Sequence, residues 1–264
     1  MNINYIKTAF NNHVEQFDTS DTNITRKIIH SNNVAKNACN IAKSLNLDKD
    51  NVELATAIGY FHDIARFKQW QRFKTYSDKL SFDHGDEALN ILFKQKLIEK
   101  FKVDKKYYNI IAFCVKNHNK FNISINELET EFKDEFFNSE QMILHAKIVR
   151  DADKLDLYRI MKEGKMPAFN SEYKSGGITK EVLDNFRAKK LIEPKFINTV
   201  LDRVVAQAAL VYDFNFEYTK QAFIKNNYYE VVVNNYKSQL NEEQNQIIKN
   251  IMKNFKETFK KKTF

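Results

Sequence analysis

Two prolines and five glycines in 264 residues leave few places for the tight turns of a sheet protein, and so point to an all-helical chain. The two cysteines, Cys39 and Cys114, are too few and too far apart for a disulfide framework or a CxxC metal site. A reducing cytoplasm suits them. No apolar run approaches the length of a membrane span, and the opening residues, MNINYIKTAFNNHVEQF, lack the continuous apolar core of a signal peptide. What the chain does have is 43% hydrophobic residues, enough for a core in one large domain or two small ones. Its net charge of +8, from 42 basic and 34 acidic residues, favours anionic partners such as phosphates.

The stretch Leu54–Phe67, LATAIGYFHDIARF, organises the rest. Its apolar spacing predicts a buried helix with Leu54, Ala57, Ile58 and Phe61 on the packed side. His62 and Asp63 end that run, where a core tolerates charge only if it is paired or bound to a metal. Adjacent helical side chains point about 100° apart, so the pair converges on one ion only if other helices close the site.

Other helices are expected over 2–17 and 22–45, from Asp86 to Lys96, over 105–118 and through ILHAKIVRDADKLDLYRI. His13 lies at the edge of the first and reads as surface. His30 lies one turn before Val34, on the side of the second helix that carries Val34, Ala38, Ile41, Ala42 and Leu45. His84 precedes one helix and His118 ends another, as His62 does. In KIVRDADKLD, Asp153 leans towards the core, but spacing alone does not separate it from Asp151. His145 lies upstream on the same helix, in a supporting place. The segment between HDIARF and Gly85 is long for a connection; its Trp70, Arg72, Phe73 and Tyr76 either contact a substrate or anchor the loop. Residues 119–138 read as irregular. The loop Met166–Gly177 is the best internal boundary, dividing a core at 1–165 from an extension at 166–264. Helices at about 179–190, 194–212, 216–226 and 241–261 follow, and their apolar faces are expected to pack as part of one domain. Lys249, Lys253, Lys256 and Lys260–Lys262 make the last helix basic.

His30, His62, Asp63, His84, His118 and Asp153 thus gather at edges and ends of apolar helices. Imidazole and carboxylate without thiolate suit Mn, Fe, Ni, Co, Mg or Zn, and a ligand set from several helices is one a bundle can hold.

The order H…HD…H…H…D, with HDIARF, a downstream DHG and KIVRDADKLD, resembles the HD-domain superfamily of metal-dependent phosphohydrolases, and one bacterial branch of it in particular. The FNISINE and YDFNFEYT segments extend the resemblance over nearly the whole chain. It implies an all-α HD-domain bundle with additional C-terminal helices. It implies His30, His62, Asp63 and Asp153 as ligands of a first divalent ion, and His84 and His118 as ligands of a second, with Asp63 bridging. Ala65 departs from the family's usual glycine. The implied activity is hydrolysis of a phosphate ester of a nucleotide or other small phosphorylated molecule by metal-activated water. Lys27, on the same face as His30, Arg66 and Lys154 are the expected phosphate-binding residues; the proton acceptor is Asp63 or a neighbouring carboxylate. Two other readings remain open: a non-catalytic metal- or nucleotide-sensing HD protein, and, less favoured, a nucleic-acid binder using the basic C-terminal helix.

Overall fold

The first three helices each start where a short polar side chain accepts from free backbone N–H groups. In the computed structural model, which describes residues 1–164, 173–237 and 240–260, Asn2, Asp21 and Asp48 cap α1 (Ile3–Val14), α2 (Thr22–Ser44) and α3 (Lys49–Phe61). Then come α4 (Ile64–Phe73), α5 (His84–Leu89), α6 (Leu97–Lys100), α7 (Tyr108–Asn117), α8 (Asn126–Glu129) and α9 (Ser139–Lys162). A π-helical turn, Asn90–Lys94, continues α5. The last helices are α10 (Lys180–Arg187), α11 (Val200–Ala209), α12 (Glu217–Lys225), α13 (Tyr228–Tyr236) and α14 (Glu242–Lys260). The fold is all-α; the described residues form no strand, only an isolated bridge between Lys174 and Thr199.

The chain divides into two compact units, Met1–Asp153 and Lys154–Phe264, and the division falls inside α9. In the first unit the expected stripes are buried, Val34, Ala38, Ile41 and Ala42 of α2 and Leu54, Ala57, Ile58 and Phe61 of α3, except that Leu45 at the end of α2 is only half-buried. Helices α2 and α3 approach so closely at Gly59 that a Cβ there would fall 2.5 Å from the Cα of Ala35. Phe10 of α1 packs its ring against Tyr60 and Phe67, at centroid distances of 5.3 and 6.0 Å.

The sequence pattern erred in one place that matters. The helix expected over 54–67 is broken at His62–Asp63, where Asp63 leaves helical geometry at φ −107°, ψ 19°. The chain then restarts as α4 and stops at Lys74, in the left-handed region. Residues 68–73 of the supposed long loop are therefore helix, and the true connection is 74–83, with one 3-10 turn at Asp78–Leu80.

In the second unit the helix expected over 194–212 is divided. A 3-10 turn at Pro194–Phe196 precedes α11, which starts at a capping box made by Thr199 and Asp202. Helix α13 was not foreseen. Of the loop Met166–Gly177, residues 166–172 lie outside the described residues, as do the side chains of Lys253, Lys256 and Lys260–Lys262.

Leu155, Tyr158 and Met161 of α9 belong to this unit's core, with Val182, Phe186, Leu201, Phe223 and Tyr236. The fully buried Tyr158 donates its hydroxyl to the Gln207 carbonyl at 2.8 Å. A chain ending at Lys165 would bare that face of α9, and burying side chains of this size is worth about 1.5–3 kcal/mol each. It is expected to lose cooperative unfolding in urea, followed by circular dichroism. A soluble, sharply unfolding and active fragment would show the C-terminal helices to be dispensable.

Candidate metal centre

His30 and Lys27 lie one turn apart on α2, and Gly59 sets how near α3 comes to them. The Gly59 carbonyl also accepts the Nδ1–H of His62 at 2.7 Å, which leaves the His62 Nε2 without a proton. That Nε2 lies 3.3 Å from the Nε2 of His30. The break after His62 then aims Asp63 at the same place. Asp63 occupies the N-cap position of α4 but makes no cap hydrogen bond; its carboxylate turns inward instead.

A second pair forms where α5 begins and α7 ends. Asp83 caps α5, accepting from the N–H groups of Gly85 and Asp86. Gly85 lets the two ends close, since a Cβ there would meet Asn119 Oδ1 at 2.8 Å and the Lys116 carbonyl at 3.1 Å. His84 is the first residue of α5 and His118 caps α7. His118 donates its Nδ1–H to the Val115 carbonyl at 2.6 Å, and His84 donates its own to Asp78 Oδ2 at 2.6 Å. Two proton-free Nε2 atoms thus face each other 3.0 Å apart.

Asp63 stands between the pairs and gives one oxygen to each. Its Oδ2 lies 3.4 Å from His30 Nε2 and 3.6 Å from His62 Nε2. Its Oδ1 lies 3.5 Å from His84 Nε2 and 3.7 Å from His118 Nε2. Asp153 completes the first group, with Oδ1 3.1 Å from His30 Nε2 and 3.9 Å from His62 Nε2. Geometry thus brings Asp153 to the histidines, where spacing had left Asp151 as an alternative.

The centre is buried, and burial decides its charge. Desolvation lowers His62 to about 3 and His84 to about 4, Arg66 assisting at His84, so both are neutral, lone-pair donors at neutral pH. Burial pushes Asp63 up, but the adjacent Lys27 ammonium opposes it, and the carboxyl is held well below its usual range. Asp153 is likewise held down against burial, chiefly by its hydrogen bond to His30.

The donor set therefore fits divalent cations. With Nδ1 of each ring turned to an oxygen acceptor, His84 and His118 aim Nε2 at each other 3.0 Å apart, where one cation can take a lone pair from both. His30, His62 and Asp63 form one group able to hold an ion, and Asp63, His84 and His118 form another. A third cluster, Asp78, Asp83 and His84, differs: Arg66 lies 2.8 Å from Asp78 and Lys120 lies 2.7 Å from Asp83, so its charge is already matched.

The three expected phosphate-binding residues are placed differently. Lys27 Nζ lies 2.6 Å from Asp63 Oδ2, and its side chain keeps 15% of its surface exposed. One terminal nitrogen of Arg66 donates to Gln69, the Tyr76 carbonyl and Asp78, and its Nε lies 3.4 Å from Asp63 Oδ1. Lys154 is paired with Asp213 at 2.7 Å, within the second unit. The aromatics after HDIARF anchor the segment: Trp70 donates to Asp21, and Tyr76 donates to the Asn23 carbonyl. His13 is half-buried against Phe17, and His145 bonds Asn51 at 2.9 Å.

Two supporting residues escaped the sequence reading. Asp78 orients His84. Arg150, buried on α9 one turn before Asp153, donates to the carbonyls of Asn117, Lys120 and Phe121; its guanidinium closes the end of α7 and holds the segment that carries His118. The sequence held a faint signal for it, an arginine inside the apolar run KIVRDAD.

With this geometry in view, comparison with known families is decisive: the family model of the HD domain matches residues 28–158. The chain belongs to the HD-domain superfamily. Comparisons with curated proteins and with solved structures found no match. The HD domain match spans all six residues of the centre, and Lys27 stands one residue before it. HD domains are metal-dependent phosphohydrolases as a superfamily, which agrees with a His/Asp centre of this composition. No described helix is long and apolar enough to cross a membrane.

Proposed function

We propose that this HD protein hydrolyses a phosphate ester of a nucleotide or another small phosphorylated molecule, with His30, His62, Asp63 and Asp153 holding one divalent ion and Asp63, His84 and His118 a second. The observation that carries this reading is the single buried carboxylate with one oxygen turned to each pair of imidazoles. Nitrogen and oxygen donors without thiolate suit Mn, Fe, Ni, Co, Mg or Zn. When bound, such ions supply Lewis acidity for a water nucleophile and positive charge for phosphoryl oxygens.

The chain's own residues do the rest. Lys27 lies at the edge of the centre with part of its side chain open, so its ammonium can turn from Asp63 to a non-bridging phosphate oxygen. The backbone carbonyls behind His62 and His118 fix both rings with Nε2 inward. Asp63 and Asp153, both held ionised, are the carboxylates within reach to take a proton from the attacking water.

Metal-stripped protein reloaded with Mn2+ is expected to bind two ions per chain by elemental analysis. The loaded protein should release phosphate or a nucleoside monophosphate in a screen over nucleotides and cyclic dinucleotides. Saturation at one ion would remove the second group from the reading. Tight nucleotide binding with no turnover would replace the enzyme with a sensor.

A further inference from the structure

His84 is held differently from His62 and His118. Those two give their Nδ1–H to backbone carbonyls, whereas His84 gives its proton to a carboxylate. A carboxylate behind an imidazole fixes its tautomer and makes the opposite nitrogen a stronger donor. Asp78 is itself fixed: its Oδ1 accepts from Arg66 at 2.8 Å and from Gln69 at 3.0 Å, which reserves Oδ2 for His84. Arg66 in turn sets its Nε 3.4 Å from Asp63 Oδ1, the oxygen on the His84 side. The segment 74–83 therefore reaches a histidine of the centre through Asp78, on the side of the second group, while its Tyr76 ring lies over Lys27.

We infer that Asp78 is a positioning residue that sets the affinity of the second ion, held by Asp63, His84 and His118, and leaves that of the first largely untouched. This rests on the two-ion reading above. The mechanism is orientation and basicity: without Asp78 the His84 ring can place its proton on Nε2 or rotate, and either removes a lone pair from the ion. Asp78 is no ligand, because its Oδ2 is spent on Nδ1 of the same ring. It is also more than a loop anchor, since Tyr76, through the Asn23 carbonyl, and Ser81 and Phe82, through Gln69, fasten the segment independently.

The test is calorimetric titration of the metal-stripped full chain with Mn2+. Asp78→Ala is expected to weaken the second ion by about 10–100-fold, with the first changed by less than about twofold. Asp78→Asn, which keeps an acceptor but not the charge, should fall between Asp78→Ala and wild type. In the metal-free protein, proton NMR should show a downfield imidazole N–H that disappears in Asp78→Ala while circular dichroism is unchanged. Two ions in wild type with equal losses at both, or at neither, in Asp78→Ala would overturn the inference alone. A wild-type chain that takes fewer than two ions would overturn it together with the two-ion reading.

Discussion

Asp63→Ala is expected to abolish phosphate-ester hydrolysis and to release both ions, while the helical content stays as in wild type. Every other residue of the centre serves one group; Asp63 alone gives an oxygen to each. Its loss also frees Lys27, whose ammonium lies 2.6 Å away and has a path to solvent, so no buried charge is stranded. The apolar stripes of α2, α3 and α7 do not involve its side chain, which explains why the fold should persist. Removing one electrostatic stabiliser of a transition state costs about 10²–10³ in rate. His118→Ala, which removes a ligand from one group only, should fall in that range, and Asp63→Ala should fall beyond it. The comparison needs a substrate that wild type turns over, with elemental analysis and circular dichroism on each variant. Equal turnover by wild type and Asp63→Ala would end the metal-hydrolase reading.

The residues of the centre were legible because each one breaks a pattern. A histidine and an aspartate at the end of an apolar run, a histidine on an apolar stripe and histidines at helix ends all place polar groups where burial is costly. Spacing ends the apolar run at His62–Asp63, but the sharp break and restart as α4 were not legible, because IGYFHDIARF contains no proline and its glycine precedes the break. Local periodicity is continuous there, and the partners to which Asp63 turns, Lys27, His30 and His84, lie on other helices. Asp151 and Asp153 could not be separated for a similar reason. Both lie on α9, and the choice depends on which of its faces meets His30. Arg150 and Asp78 act on a backbone carbonyl or a ring proton supplied by a distant or irregular segment, and such partners leave no trace in residue spacing. Lys154 looked like a neighbour of the centre because it follows Asp153, but one residue along a helix turns a side chain about 100°, and its partner is Asp213. In the second unit, α13 follows Asn227, which takes a positive φ of 54°; with no glycine to mark that turn, the helix merged with its surroundings.

Gly59→Ala tests the geometry beneath the chemistry. A Cβ at this position would lie 2.5 Å from Ala35 Cα, 2.8 Å from Ala35 N and 3.1 Å from the Val34 carbonyl carbon. All three are backbone atoms of α2, so no side-chain rotation relieves the contact, and the helices must separate or the chain must unfold. Overpacking of a closed core costs about 1–3 kcal/mol and occasionally more; a backbone clash of this depth belongs at the upper end. The same residue anchors His62 through its carbonyl, so separating α3 from α2 also draws His62 away from His30. Gly59→Ala is therefore expected to lower the urea midpoint, and in whatever folded protein remains, to weaken the ion held by His30, His62, Asp63 and Asp153. Ala35→Gly should not rescue it, because the atoms in the way are not the Ala35 methyl. Rescue by that second change, or wild-type stability of Gly59→Ala, would show that α2 and α3 do not cross as closely as the placement of His30 and His62 requires.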